Sequence, residues 1–139
     1  MDPASSNSNS RSKALDRAYW ISTSILSAGM IVGGILELRH APDLLEAARR
    51  LGYPDYLLTL LGTAKLAGAP LLLVQKFPHL KEWVYAGFAF DFGGAIVSHA
   101  AAGDTLVQTL PALCCAALLA VSYGSYRARR APALPGKVA

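Results

Sequence analysis

The chain has 139 residues, of which 53% are hydrophobic and only 16% charged, and it carries a net charge of +4. A soluble domain holds about 25% charged and about 45–50% apolar residues; with a mean hydropathy of +0.35 and bunched apolar residues, this balance excludes a disordered chain and an ordinary soluble enzyme. The two cysteines, Cys114 and Cys115, are adjacent, which excludes a disulfide scaffold.

Residues 1–17 are polar and rich in Ser and Asn, a composition that predicts no order. No apolar stretch precedes Tyr19, so no cleavable signal peptide is expected. The first long apolar run is 19–38, YWISTSILSAGMIVGGILEL. After it, Pro42 can open a short helix and Gly52 can close it. Leu44, Leu45, Ala48 and Leu51 share one face of that helix, and Glu46 is spaced to pair with Arg49 and Arg50. It reads as a short interfacial helix, with a capped connector as the alternative. Further apolar runs follow at 56–74, 83–102 and 106–123. A basic tail, 125–139, ends the chain.

Each run has a helical length of roughly 27–30 Å, which matches the hydrocarbon core of a bilayer. Backbone polar groups in lipid must be satisfied within the segment, so the runs are expected to be helices. The predicted architecture is all-α: an integral membrane four-helix bundle, up-down-up-down, occupying residues 18–124. Arg11, Lys13, Arg17, Lys76, Lys81, Arg127, Arg129, Arg130 and Lys137 fall on one side, against Arg39, Arg49 and Arg50 on the other. The positive-inside rule then places both termini in the cytoplasm, and the chain in the cell inner membrane. The basic residues flank the spans and do not form a patch interleaved with aromatics, so the lipid bilayer is the expected partner and nucleic acid is not.

Charged residues within a span face the bundle interior and pair. Lys65 lies at the middle of span two and Asp91 near the middle of span three, so an ion pair between them at the midplane is expected. It reads either as a structural pair that fixes helix register or as a proton, ion or substrate site. Toward the outer end, Glu37, Ser98 and His99 form a candidate polar pocket, with His40 and Asp104 on the same side. No metal is expected, because no HxxxH spacing occurs. Gly29 and Gly33 in span one, Gly62 in span two, and Gly87 and Gly94 in span three are the expected close-packing positions. The adjacent cysteines point about 100° apart on a helix and do not serve the geometry of a Cys-x-x-Cys redox pair. No phosphate loop, nucleophile elbow or Ser/His/Asp constellation is present, so no catalytic residue is expected and the chain does not read as an enzyme on its own.

Three stretches carry a resemblance: YWISTSILSAGMIVGG at the start of span one, LGYPDYLLTLLGTAKLAGAPLLL (51–73), and FPHLKEWVYAGFAFDFGGAIVSHAAAGD (77–104). Together they resemble the DoxX-like family of small bacterial four-helix membrane proteins, over roughly residues 17–123. The resemblance implies the bundle and its membrane location. Its name comes from a membrane subunit of a thiosulfate–quinone oxidoreductase, and some relatives are linked with complexes that handle thiol or oxidative stress. On that footing the chain is expected to be a subunit or accessory of a membrane complex, or a homo-oligomer, with no cofactor of its own. One alternative is a redox-linked subunit that binds quinone or a small sulfur compound. Another is a small proton-coupled carrier that uses Lys65 and Asp91.

Overall fold

The computed structural model of the protein describes residues 3–130. Residues 131–139 of the basic tail, with Lys137, lie outside the described residues. The fold is all-helical, with no strand among the described residues, in the order α1 (Pro3–Leu38), α2 (Pro42–Arg50), α3 (Tyr56–Leu73), α4 (Pro78–Ala101) and α5 (Leu106–Arg130). Three of these helices are long and apolar enough to cross a membrane: Ser10–Leu38 within α1, Tyr56–Leu73 and Leu106–Arg130. The run at 83–102 is not among them. Its helix has 24 residues, enough length, but it carries Lys81, Glu82, Asp91 and His99.

Helix boundaries depart from the apolar runs where polar groups find partners. α1 extends back to Pro3, through the stretch whose composition predicts no order. Helix propagation adds one hydrogen bond per residue once the apolar segment has nucleated it, and Arg129 Nε lies 2.6 Å from Asp16 Oδ1 in an ion pair. α5 likewise runs on to Arg130. α4 starts at Pro78, a proline at its first turn where no backbone donor is needed.

Three helix ends share one closing geometry. His40, Gly52 and Gly103 all have positive φ, at 48°, 82° and 71°. At each, the residue's own N–H and the next one bond back three and five residues: His40 to Glu37 and Ala41 to Leu36, Gly52 to Arg49 and Tyr53 to Ala48, Gly103 to Ala100 and Asp104 to His99. This is the Schellman closure, which satisfies the last carbonyls of a helix.

Residue pairs fix the neighbours. α1 meets α3 through Gly34–Gly62 and Ser27–Ala69, α3 meets α4 through Lys65–Asp91 and Gly68–Phe88, and α4 meets α5 through Tyr85–Ser122. α5 returns to α1 through Thr23–Ser122 and Asp16–Arg129. In each interface numbering rises on one helix as it falls on the other. The core holds Tyr19, Leu26, Met30, Ala69, Leu72, Tyr85, Phe88, Phe92, Leu119 and Tyr126. Interior polar groups join the helices: Thr23 and Tyr85 both bond Ser122, at 2.6 and 2.7 Å, and Ser27 donates to Ala69 O at 2.7 Å. Phe90, Trp83 and Val107 meanwhile stand 83%, 77% and 79% exposed. An apolar exterior around a hydroxyl-lined interior suits lipid as solvent, where hydroxyls supply contacts between helices.

Of the glycines that the spacing predicts for close packing, Gly62 packs closely and Gly29, Gly33, Gly87 and Gly94 do not. A Cβ on Gly62 would lie 2.8 Å from Gly34 O and 2.9 Å from Leu38 Cγ, so the α1–α3 crossing rests on Gly62 and Gly34. A Cβ on Gly29, Gly33, Gly87 or Gly94 would meet nothing within 4 Å. The reason is angular. A repeat of four residues drifts about 40° per step around a helix of 3.6 residues per turn. The buried stripe of α1 mixes steps of three and four, through Tyr19, Ser22, Leu26, Met30, Gly34 and Glu37, so Gly29 and Gly33 each stand one residue off it.

Candidate functional site

Lys65 stands between two carboxylates. Its Nζ is hydrogen-bonded to Glu37 Oε1 and lies 3.3 Å from Asp91 Oδ2. The three side chains are 11%, 12% and 15% exposed for Glu37, Lys65 and Asp91. Backbone direction explains the convergence. The Cα–Cβ bond tilts toward the N-terminus of its own helix. α1 and α3 run in opposite directions, and Leu38 packs on Gly62. Glu37 therefore leans down toward the bundle centre, while Lys65, about one turn deeper, leans up to meet it.

Glu37 Oε2 is buried and has no hydrogen-bond partner among the described residues. With every group ionised the cluster holds two negative charges and one positive. A group that supplied a proton or a hydrogen-bond donor at Oε2 would balance it. Beside Lys65 and Asp91, a cleft of about 380 Å³ opens between α3 and α4, lined also by Ala64, Gly68 and Gly87 and by apolar side chains such as Leu61 and Phe90. The small residues leave the space, and Gly87 thus borders a cleft and not a helix contact.

The expected pocket of Glu37, Ser98 and His99 does not assemble. Glu37 belongs to the Lys65 cluster. Ser98 and His99 belong to a second cluster at the α2 end, where Ser98 Oγ bonds Tyr53 OH and donates to Gly94 O at 2.8 Å. His99 Nδ1 lies 2.6 Å from Asp104 Oδ2, and Arg50 donates to Asp104 Oδ1. Depth along the bundle had suggested the pocket, but Glu37 faces α3 while His99 sits in the last turn of α4 beside the α4–α5 turn. Asp104 is held below the usual carboxylate range, first by the Arg50 hydrogen bond and then by His99. The arginines of α2 find Asp55 and Asp104, not Glu46: Arg49 grips Asp55 with bonds of 2.9 and 2.6 Å, which lowers the Asp55 carboxyl. These contacts clip α2 to the ends of α3 and α4.

At the opposite end the structure holds a cluster that sequence reading missed. Lys81, counted there among loop charges, is 1% exposed. Its Nζ donates to Tyr19 OH at 2.6 Å and to Val74 O at 3.2 Å, and it lies over the Tyr19 and Tyr126 rings at 5.2 and 5.3 Å. Tyr19 OH in turn donates to Leu72 O at 3.1 Å and accepts from Gln75 at 2.9 Å. The carbonyls at the end of α3 have no helical partner and carry the negative end of its dipole. Lys81 and Tyr19 supply that partner. The signal in the sequence was Pro78, three residues before Lys81: a helix started by that proline puts Lys81 inside its first turns.

Cys114 is exposed and Cys115 half-buried, and both are free. Among the described residues no group of three or more His, Cys, Asp or Glu is placed to hold a metal ion.

The model of the DoxX-like family matches residues 21–122. That stretch contains the Glu37–Lys65–Asp91 cluster, Lys81 and the α2-end clip. Comparison with curated proteins and with solved structures gives no match.

Proposed function

We propose that this chain, which belongs to the DoxX-like family, is a four-span membrane protein whose working part is a proton-accepting triad of Glu37, Lys65 and Asp91. α4 is the fourth span. Its charged residues are turned inward to Lys65 and to the tyrosine end, which is how a span accommodates them. The tyrosine end, with Arg127, Arg129 and Arg130, faces the cytoplasm with both termini, and α2 lies at the outer surface. The protein sits in the inner membrane and works in an assembly, as a subunit or accessory of a complex or as a homo-oligomer.

One observation carries the reading of the triad: a buried ammonium shared by two carboxylates, with Glu37 Oε2 left without a partner. Such a cluster alternates between two charge states by gaining or losing one proton, and the α3–α4 cleft borders it at Lys65 and Asp91. Four helices are few for alternating access, so a second copy completes the path. Proteoliposomes enclosing a pH-sensitive dye, challenged with a panel of small polar solutes, test this. Solute-dependent proton movement is expected in the parent and lost in Glu37→Gln and Asp91→Asn. No proton movement with any solute, or full movement in Glu37→Gln, sinks it.

A further inference from the structure

Two cavities on the α4–α5 face meet end to end. The first, about 460 Å³, is a groove between the helices. Its floor is cut by small residues, Ala86, Ala89 and Gly93 on α4 and Ala116 and Ala120 on α5. The second, about 990 Å³, is a mouth at the tyrosine end, lined by His79, Tyr126, Arg127 and Arg130 among others. Glu82 borders both. From Glu82 to Ile96 the groove runs about 21 Å along α4, longer than the roughly 15 Å of one leaflet's hydrocarbon.

We propose that this composite cleft is a specific site for one anionic phospholipid, with an acyl chain in the α4–α5 groove and the phosphate at Arg127 and Arg130. Charge complementarity singles out this occupant. Arg130 forms no ion pair among the described residues. Its Nη1 donates to Tyr126 OH at 2.6 Å, and its guanidinium lies 5.5 Å from that ring. Tyr126 is 2% exposed, so this arginine is held by a fixed partner while its other N–H groups stay available. Arg127 is 65% exposed and lies 3.7 Å from Glu82, whose other oxygen accepts from Tyr123 OH at 2.9 Å. Among the described residues that line the mouth, Glu82 is thus the one opposing charge, tethered at the seam between tail and headgroup. A planar guanidinium pair suits a phosphate monoanion. An apolar channel that ends on such a pair matches a lipid in its membrane orientation, head at the interface and tail in the core.

The site rests on the four-span reading only in that its groove must open to lipid. Its test uses the full chain in mild detergent, where lipid retention is read apart from topology. Native mass spectrometry with phosphatidylglycerol and phosphatidylcholine of identical chains is expected to show about tenfold preferential retention of the former, whose phosphate charge is not offset by a choline cation that the two arginines would repel. Arg127→Gln with Arg130→Gln removes the preference. Glu82→Gln enhances it. Ala89→Leu, and separately Gly93→Leu, lower retention of both lipids by filling the groove, with circular dichroism verifying helix content. Equal retention of the two lipids overturns the proposal, as does a preference that survives the double arginine variant. Inorganic phosphate held as tightly as the lipid removes any role for the groove. A groove-filling variant that dissociates a dimer while keeping its lipid assigns the face to a second copy of the chain instead.

Discussion

Lys65→Met tests the triad most directly. The substitution keeps the aliphatic stem and removes the only positive charge from a cluster whose carboxylates are 11% and 15% exposed. Breaking a buried ion pair by deleting one partner costs about 3–5 kcal/mol. Here two carboxylates lose the same counter-charge while keeping slight solvent contact, so a loss of about 3 kcal/mol or more is expected. Asp91→Asn leaves Lys65 bonded to Glu37, a balanced pair, and is expected to cost about half as much. Glu37→Gln with Lys65→Met and Asp91→Asn removes every charge, and returns stability to within about 1 kcal/mol of the parent, because no uncompensated ion remains. Unfolding in mixed micelles of increasing dodecyl sulfate content, followed by the fluorescence of Trp20 and Trp83, reads all four proteins. If Lys65→Met lies within about 0.5 kcal/mol of the parent, the side chain is not a buried counter-charge. If Asp91→Asn costs as much as Lys65→Met, Glu37 has no share in it.

Three more outcomes follow from named contacts. Gly62→Ala forces a Cβ to 2.8 Å from Gly34 O and is expected to destabilise by about 1–3 kcal/mol in the same micelle assay, whereas Gly29→Ala, with open space, is tolerated; equal effects of the two would refute the α1–α3 crossing. Tyr19→Phe removes the oxygen that accepts from Lys81 and Gln75, and is expected to cost about 1–3 kcal/mol because a buried donor loses a partner; an unchanged unfolding midpoint would contradict the burial of Lys81. The Asp104 carboxyl is held low by Arg50 and His99, so its contribution is present above its ordinary value of about 3.9 and is lost as pH falls through the lowered value in the fold. Asp104→Asn should therefore unfold more readily than the parent at neutral pH and equally at strongly acid pH, and a gap that persists in acid would refute that linkage.

How much was legible in the sequence depended on whether a residue's partner was a direction or a depth. Apolar runs mark helices because lipid leaves no other backbone solution, and the helices at Tyr56 and Leu106 begin where the runs do. Depth along antiparallel helices was enough to place Lys65 opposite Asp91, since both stand near the middle of consecutive runs. It was not enough for Glu37, whose depth matched His99 but whose face is set by the α1–α3 crossing. That crossing depends on Gly34 and not Gly33, a rotation of about 100° that the four-residue repeat Gly29–Gly33–Glu37 concealed. Lys81 was hidden by its flanks. Beside Lys76, Pro78 and His79 it reads as a loop charge, and only the start of α4 at Pro78 turns it inward.

The two buried lysines solve the same desolvation problem by different chemistry, and this separates their roles. Lys81 is held by a carbonyl, a phenol oxygen and two rings. A carbonyl and a ring face do not titrate over ordinary pH, so the environment of Lys81 is a fixed one and suits a permanent anchor between the end of α3 and the tyrosine end of the bundle. Lys65 is held by two carboxylates, groups that exchange protons readily, and a single proton changes the charge of its cluster. The first arrangement locks α1, α3, α4 and α5 together at one end, through Tyr19, Val74, Lys81 and Tyr126. The second lies farther along the same helices beside an open cleft. A bundle pinned at one end and balanced on a protonatable cluster farther along α3 can change that cluster's charge without losing its assembly, which is the property that the proposed proton-linked work at Glu37 requires.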